Sequence, residues 1–155
     1  MSFNAEIKIL DPRIGKDEKY PLPACATDGS AGMDLRACID EDLILKAGET
    51  KLVGTGFSIY LKDPNFVGMI YPRSGLGSKH GIILGNTTGV IDADYQGELL
   101  ICLWNRTDKD FTIAVGERVA QYVVTPVIHP NYSIVEQFSH ETERGEGGFG
   151  SSGKN

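Results

Sequence analysis

The chain is short of cysteine, histidine and positive charge, and each shortage closes off a class of function. Three cysteines, Cys25, Cys38 and Cys102, are odd in number, widely spaced and free of any C-x-x-C pair, which disfavours a disulfide framework and a zinc site. They are expected to be reduced and structural. The three histidines, His80, His129 and His140, have neither metal-ligand spacing nor a neighbouring nucleophilic cysteine, so surface or capping roles are expected of them. Lys and Arg number 15 against 21 Asp and Glu, a formal net charge of −6, without the basic face that polyanion binding wants. No nucleic-acid partner is expected, and an anionic substrate needs a local basic pocket or a metal. No segment approaches the ~20 apolar residues of a membrane span, and the N-terminus MSFNAEIKILDPRIG lacks the apolar core of a signal peptide. A cytoplasmic protein with no membrane partner is expected. The lone tryptophan, Trp104 in LLICLWN, reads as core.

What is there points to β structure. The 19 glycines and seven prolines are spread along 155 residues, favouring many turns and short strands. A chain of this length buries about 70% of the surface it exposes unfolded, so one core suffices. Apolar and alternating runs predict strands at Glu6–Leu10, Ser30–Ala37, Leu43–Leu45, Lys51–Val53, Gly56–Leu61, Phe66–Tyr71, Ile82–Leu84, Leu99–Trp104, Phe111–Val115, Arg118–Val127 and Ile134–Glu136. With no amphipathic helix beyond a turn or two in Ser74–His80, the expected fold is a β-sandwich, jelly roll or barrel. One domain spans 1–143, and 144–155 form a glycine-rich tail.

Four internal segments carry chemistry. In YPRSGLGSKHG, Arg73, Ser74, Lys79 and two glycines share a strand-ending loop, a plausible phosphate cradle that lacks the Walker A order; a plain surface turn is the alternative. In GNTTGVIDADYQGE a hairpin carries Asp92, Asp94, Tyr95 and Gly97. Asp92 follows Val90 and Ile91, which predicts partial desolvation; that would raise a carboxylate above its usual ~3.9 and suit it to deprotonate water. An acidic β-turn is the alternative. In SAGMDLRA, Asp34 and Arg36 share a strand face and are placed to pair. In GERVAQYVV the Gln121 amide interrupts an apolar strand and needs a partner, protein or ligand.

The tail RGEGGFGSSGKN has glycines at 145, 147, 148, 150 and 153, whose amides can wrap an anion with no Cβ in the way. Phe149 has no local core to join, and a planar ligand is a natural surface for its ring. By composition alone such a terminus is more often a disordered tail than a lid.

Taken in order, AGMDLRA, PRSGLGSKHG, GNTTGVIDADYQGE, GERVAQ and RGEGGFGSSG closely resemble the homotrimeric dUTPases of bacterial type, from about Ile7 to the C-terminus. The resemblance implies a jelly-roll-like β-barrel of the β-clip kind. It also implies a trimer whose three active sites lie between subunits: one chain supplies the first, second and fourth motifs, a neighbour the third, and the last chain its tail. The implied reaction is attack of water on the α-phosphorus of dUTP, giving dUMP and pyrophosphate, which keeps uracil out of DNA and supplies dUMP for dTMP synthesis. Mg2+ would be held mainly by the triphosphate, with no direct protein ligand. By resemblance Asp92 is the general base, Asp34 orients waters of the metal shell, and Arg73 supports the catalytic carboxylate and the phosphates. Ser74, Gly75 and Gln121 match phosphate-binding positions. Asn86 and the backbone of Gly89, Val90, Ile91 and Asp92 match the part that reads uracil, and Tyr95 the ring beneath deoxyribose. Phe149 would stack on uracil, while Arg144, Gly150, Ser151 and Ser152 hold the distal phosphates. The related dCTP deaminases need another catalytic constellation, a regulatory binder would be expected to lose Asp92 or the tail, and a purely structural sandwich leaves five ordered polar motifs unexplained.

Overall fold

Alternation at a period of two decides which side of each strand faces inward. In β9 (Leu100–Asn105), Ile101, Leu103 and Asn105 are buried while Leu100 and Trp104 face outward. The computed structural model describes residues 3–148, which contain eleven strands and one short helix. β9 lies between β4 (Thr50–Gly54) and β7 (Ile82–Leu84) in a three-stranded sheet, all pairs antiparallel. A four-stranded sheet has the order β2 (Met33–Arg36), β11 (Arg118–Pro126), β6 (Phe66–Pro72), β8 (Gly89–Ile91). Two further pairs, β1 (Glu6–Ile9) with β5 (Phe57–Tyr60) and β3 (Leu43–Leu45) with β10 (Phe111–Ile113), complete the enclosure. Leu35, Leu45, Ile59, Leu84, Leu99, Leu103 and Ile113 meet in one apolar core drawn from all four sheets and their connections. This is the all-β, barrel-like architecture expected. Among the described residues no helix is long and apolar enough to cross a membrane.

Among the described residues the one buried asparagine, Asn105, is fully engaged. The Asn105 amide donates to the carbonyls of Leu45 (3.0 Å) and Lys109 (2.7 Å), and its oxygen accepts from Thr107 N–H and Oγ1. Such pairing is what makes burial of an amide tolerable.

Four expectations are corrected. Residues 134–136 form no strand: Ile134 is fully exposed, and no strand among the described residues pairs with that segment. Trp104 is not core, being 37% exposed on the outer face of β9. Cys25 is exposed, whereas Cys38 and Cys102 are half-buried; all three are free thiols. The strand-ending loop expected after β6 is instead a seven-residue helix, α1 (Ser74–His80), the turn or two of helix allowed for that stretch, closed by Gly81 at φ 66 with its amide bonded to the Leu76 carbonyl, a left-handed cap that glycine adopts without strain.

Candidate active site

β-pairing brings three of the singled-out segments side by side. Asp34 on β2 is directly opposite Gln121 on β11, and Gln121 is opposite Tyr71 on β6. Arg73 follows β6 in extended conformation (φ −84, ψ 135) as the residue before α1, which carries its side chain back towards β2. Its Nε donates to Asp34 Oδ1 at 2.9 Å, and Arg118 Nη1 donates to Asp34 Oδ2 at 3.2 Å. One carboxylate between two guanidiniums leaves a local excess of one positive charge, as an anion site on an acidic protein requires. Gln121 finds a protein partner, donating from Nε2 to the Pro72 carbonyl at 3.0 Å, which fixes the chain just before Arg73.

The expected Asp34–Arg36 pair does not form. Both lie on one face, but Arg36 Nη1 donates to the Gly116 carbonyl at 2.8 Å. A β-bulge between Arg118 and Ala120 interrupts the β11 register and Arg118, not Arg36, takes the second carboxylate oxygen. Arg118 is the member of this cluster that sequence reasoning passed over, although its charge at the start of GERVAQ was visible.

A wall beside Asp34 comes from residues 11–26. Arg13 is held by Asp11 (Nη2 to Oδ2, 2.7 Å), donates from Nη1 to the Ile39 carbonyl (3.1 Å), and lies over the Tyr20 ring, whose hydroxyl donates to the same carbonyl at 2.9 Å. The Arg13 guanidinium holds the Asp11 carboxyl well below the usual carboxylate range, and burial pushes the Cys38 thiol up to about 11, which makes Cys38 a poor nucleophile. Tyr20, Cys25, Asp34, Arg36 and Arg118 line a cavity of about 290 Å³ here.

Ser74 and Gly75 open α1, both exposed, with no acidic residue in that first turn. A Cβ on Gly75 would meet nothing within 4 Å, so the space above this turn is open.

The uracil-matching segment lies elsewhere. Asn86 sits in the turn after β7, where its carbonyl accepts from Thr88 N–H at 2.7 Å and the next residue, Thr87, takes φ 62. Left-handed backbone is costly for a β-branched residue. β8 runs beside β6 with Gly89 against Ile70, Val90 beside Met69 and Ile91 beside Gly68. Gly89–Tyr95 is therefore a strand followed by a turn closed by Tyr95 N–H on the Asp92 carbonyl (3.1 Å). Val90 is 62% exposed and Asp92 is exposed as well. Partial desolvation of Asp92 is not found in the chain by itself, because a residue two beyond Val90 shares its outward face.

The register also separates the two carboxylates. Asp92 follows the Gly68–Ile91 pair, beside Val67, whereas Arg73, just past the end of β6, is six residues further along, about 20 Å at ~3.3 Å per residue. Asp92 lines a different cavity, of about 550 Å³, with Tyr60, Lys62, Phe66, Val90 and His129. Within one chain Asp34, Arg73, Arg118 and Gln121 converge; Asp92 and Tyr95 do not join them. In the tail, Arg144 bonds only locally among the described contacts, from Nε to the Gly147 carbonyl at 2.8 Å. Phe149, Gly150, Ser151 and Ser152 lie outside the described residues.

A family model described as dUTPase matches residues 18–153. The chain is 60% identical over 149 residues to the deoxyuridine 5'-triphosphate nucleotidohydrolase of Psychrobacter sp. (strain PRwf-1), covering 96% of this chain and 97% of that one. It is 58% identical to the enzyme of the same name from Idiomarina loihiensis, with the same coverage. Among solved structures, the Staphylococcus bacteriophage 80alpha dUTPase with dUPNHPP superposes with TM-score 0.80 at 27% identity, over 99% of this chain and 100% of that one.

Proposed function

This chain belongs to the dUTPase family and hydrolyses dUTP to dUMP, and we infer that it does so as a homotrimer in which each active site is assembled from several subunits. The observation that carries this reading is the distance between Asp92 and the Asp34–Arg73 pair within one chain. A general base has to reach its water within hydrogen-bonding distance, so Asp92 of one subunit serves the phosphate-binding residues of another. An outward apolar face supports association: Leu52 (67% exposed), Leu100 and Trp104 cluster on adjacent strands β4 and β9, and such a patch is typically covered by a partner.

In this reading the triphosphate lies along Arg73, Ser74, Gly75 and Gln121, and Asp92 takes the proton from the water that attacks the α-phosphorus, releasing pyrophosphate. Among the described residues no three His, Cys, Asp or Glu side chains converge as a metal site. Mg2+ carried by the substrate phosphates would retain several waters and need few protein ligands. Asp34, with each carboxylate oxygen already held by an arginine, would orient waters of the metal shell. When bound, the cation neutralises triphosphate charge. Asn86 and the Gly89–Asp92 backbone read the uracil edge, leaving no room for the thymine methyl, and Tyr95 packs under the deoxyribose where a 2′-hydroxyl would clash. Phe149 stacks on uracil, and Arg144, Gly150, Ser151 and Ser152 close on the distal phosphates, excluding bulk water.

Pyrophosphate release from dUTP with Mg2+, run beside dCTP, dTTP and UTP, tests this assignment. Release confined to dUTP is the expected result. Ammonia release from dCTP, or no turnover by a protein that binds dUTP, would overturn it.

A further inference from the structure

Tyr95 lies in the exposed connection between β8 and β9 and is itself 41% exposed, so nothing in the core fixes its ring. Three contacts do. Its hydroxyl donates to the Glu98 carbonyl at 3.0 Å. The hydroxyl packs over Gly97 so closely that a Cβ there would collide with it. The Glu98 side chain then reaches away from the loop, and its Oε1 accepts from Gly56 N–H at 2.8 Å.

The receiving turn is shaped for that carboxylate. A Cβ on Gly54 would stand 2.5 Å from Glu98 Oε1, so glycine there leaves the carboxylate its seat, and Gly56, whose N–H it accepts from, takes φ 77. The next residue, Leu99, is fully buried; its carbonyl accepts from Thr55 Oγ1 (2.9 Å) and its N–H donates to the Phe57 carbonyl (3.0 Å). Upstream, Lys62, at φ 68, donates its N–H to the Ala93 carbonyl at 3.3 Å. The loop is thus held at both ends, and Glu98 is the link between the turn in front of β5 and the Tyr95 ring.

We propose that Glu98 is a positioning residue for sugar discrimination, holding Tyr95 at the height that admits deoxyribose and rejects ribose. This rests on the reading of Tyr95 as the ring beneath the sugar. A side chain that merely stabilised the loop would, when removed, lower activity on every nucleotide alike. An anchor for Tyr95 changes the ratio between dUTP and UTP.

The test compares kcat/KM for dUTP and UTP, with melting temperature, in the assembled enzyme carrying Glu98→Ala, Glu98→Gln, Tyr95→Phe or Tyr95→Ala. Glu98→Ala is expected to lower the dUTP:UTP ratio about tenfold or more, whereas Glu98→Gln, which keeps an acceptor oxygen for Gly56 N–H, restores it to within about twofold of wild type. Equal losses on both nucleotides in Glu98→Ala would overturn the proposal. If Glu98→Ala does not fold, Tyr95→Phe decides: it removes only the tie to the Glu98 carbonyl, and an unchanged ratio overturns the anchor. An unchanged ratio in Tyr95→Ala instead sinks the underlying reading of Tyr95.

Discussion

Arg73 donates from Nε to Oδ1 of Asp34 at 2.9 Å, joining positions 39 residues apart across β2, β11 and β6. Both side chains are a little under one-third exposed (29% and 28%), so the pair contributes at most about 1 kcal/mol to stability. Its value is geometric: the planar guanidinium engages Asp34 and keeps further N–H groups for an anion. Lysine offers a point charge with no fork. Arg73→Lys is expected to lower kcat/KM for dUTP by about tenfold or more with little change in melting temperature. Steady-state kinetics beside a thermal melt separate the two, and wild-type turnover would remove Arg73 from the site.

Asp92→Asn keeps the size and hydrogen-bonding shape of the side chain and removes its capacity to accept a proton. Turnover is expected to fall by about 10² or more while dUTP binding and the assembly persist. Calorimetric titration with a non-hydrolysable dUTP analogue measures the retained binding. Normal turnover would sink the general-base role.

Deleting Gly145–Asn155 removes none of the buried core, which ends with β11. Catalysis is expected to be lost with the melting temperature unchanged if, as proposed, the tail acts by closing over ligand on a neighbouring subunit. A large fall in melting temperature would show instead that the tail supports its own barrel.

Tyr122 carries the single buried side-chain polar atom without a hydrogen-bond partner among the described residues, its hydroxyl lying against Gly68. Burial pushes the phenol from 10.0 up to about 12. The folded state therefore resists ionisation that the unfolded state undergoes, and stability that is intact below pH 10 falls as pH rises towards 12. Tyr122→Phe removes an unsatisfied group, so it is expected to be neutral or stabilising by up to about 1 kcal/mol at pH 7, and to flatten the alkaline loss. Melting curves from pH 7 to 11 check it; a clear destabilisation at pH 7 would mean that the hydroxyl has a partner in the assembled protein.

The strands were legible where the pattern is local. Phe66–Tyr71 and Arg118–Val127 fall within a residue of β6 and β11, because β-branched and apolar residues between turn signals report directly on a pleated, buried face. Trp104 and Ile134–Glu136 misled for one shared reason. An apolar residue exposed on the chain's surface has the same local composition as one buried in the core, and periodicity cannot separate them. The desolvation expected of Asp92 failed similarly, its apolar neighbour Val90 facing outward. Motif order singled out Asp34, Arg73 and Gln121, which lie together in the fold, but the Arg118 contact depends on a bulge, and Glu98 on a turn 42 residues away; neither is written in local spacing.

The shared active site is tested most directly by mixing two inactive variants. Asp92→Asn and Arg73→Ala chains are co-expressed or refolded together in equal amounts, and dUTP turnover is compared with each variant alone. If Asp92 and Arg73 of one site come from different subunits, a site is intact when each contributing chain carries its own wild-type residue, which random assembly achieves in about a quarter of sites. Recovery to about that fraction of wild-type turnover is the expected result. Activity no higher than the average of the two parents would contradict it and return both residues to a site within one chain.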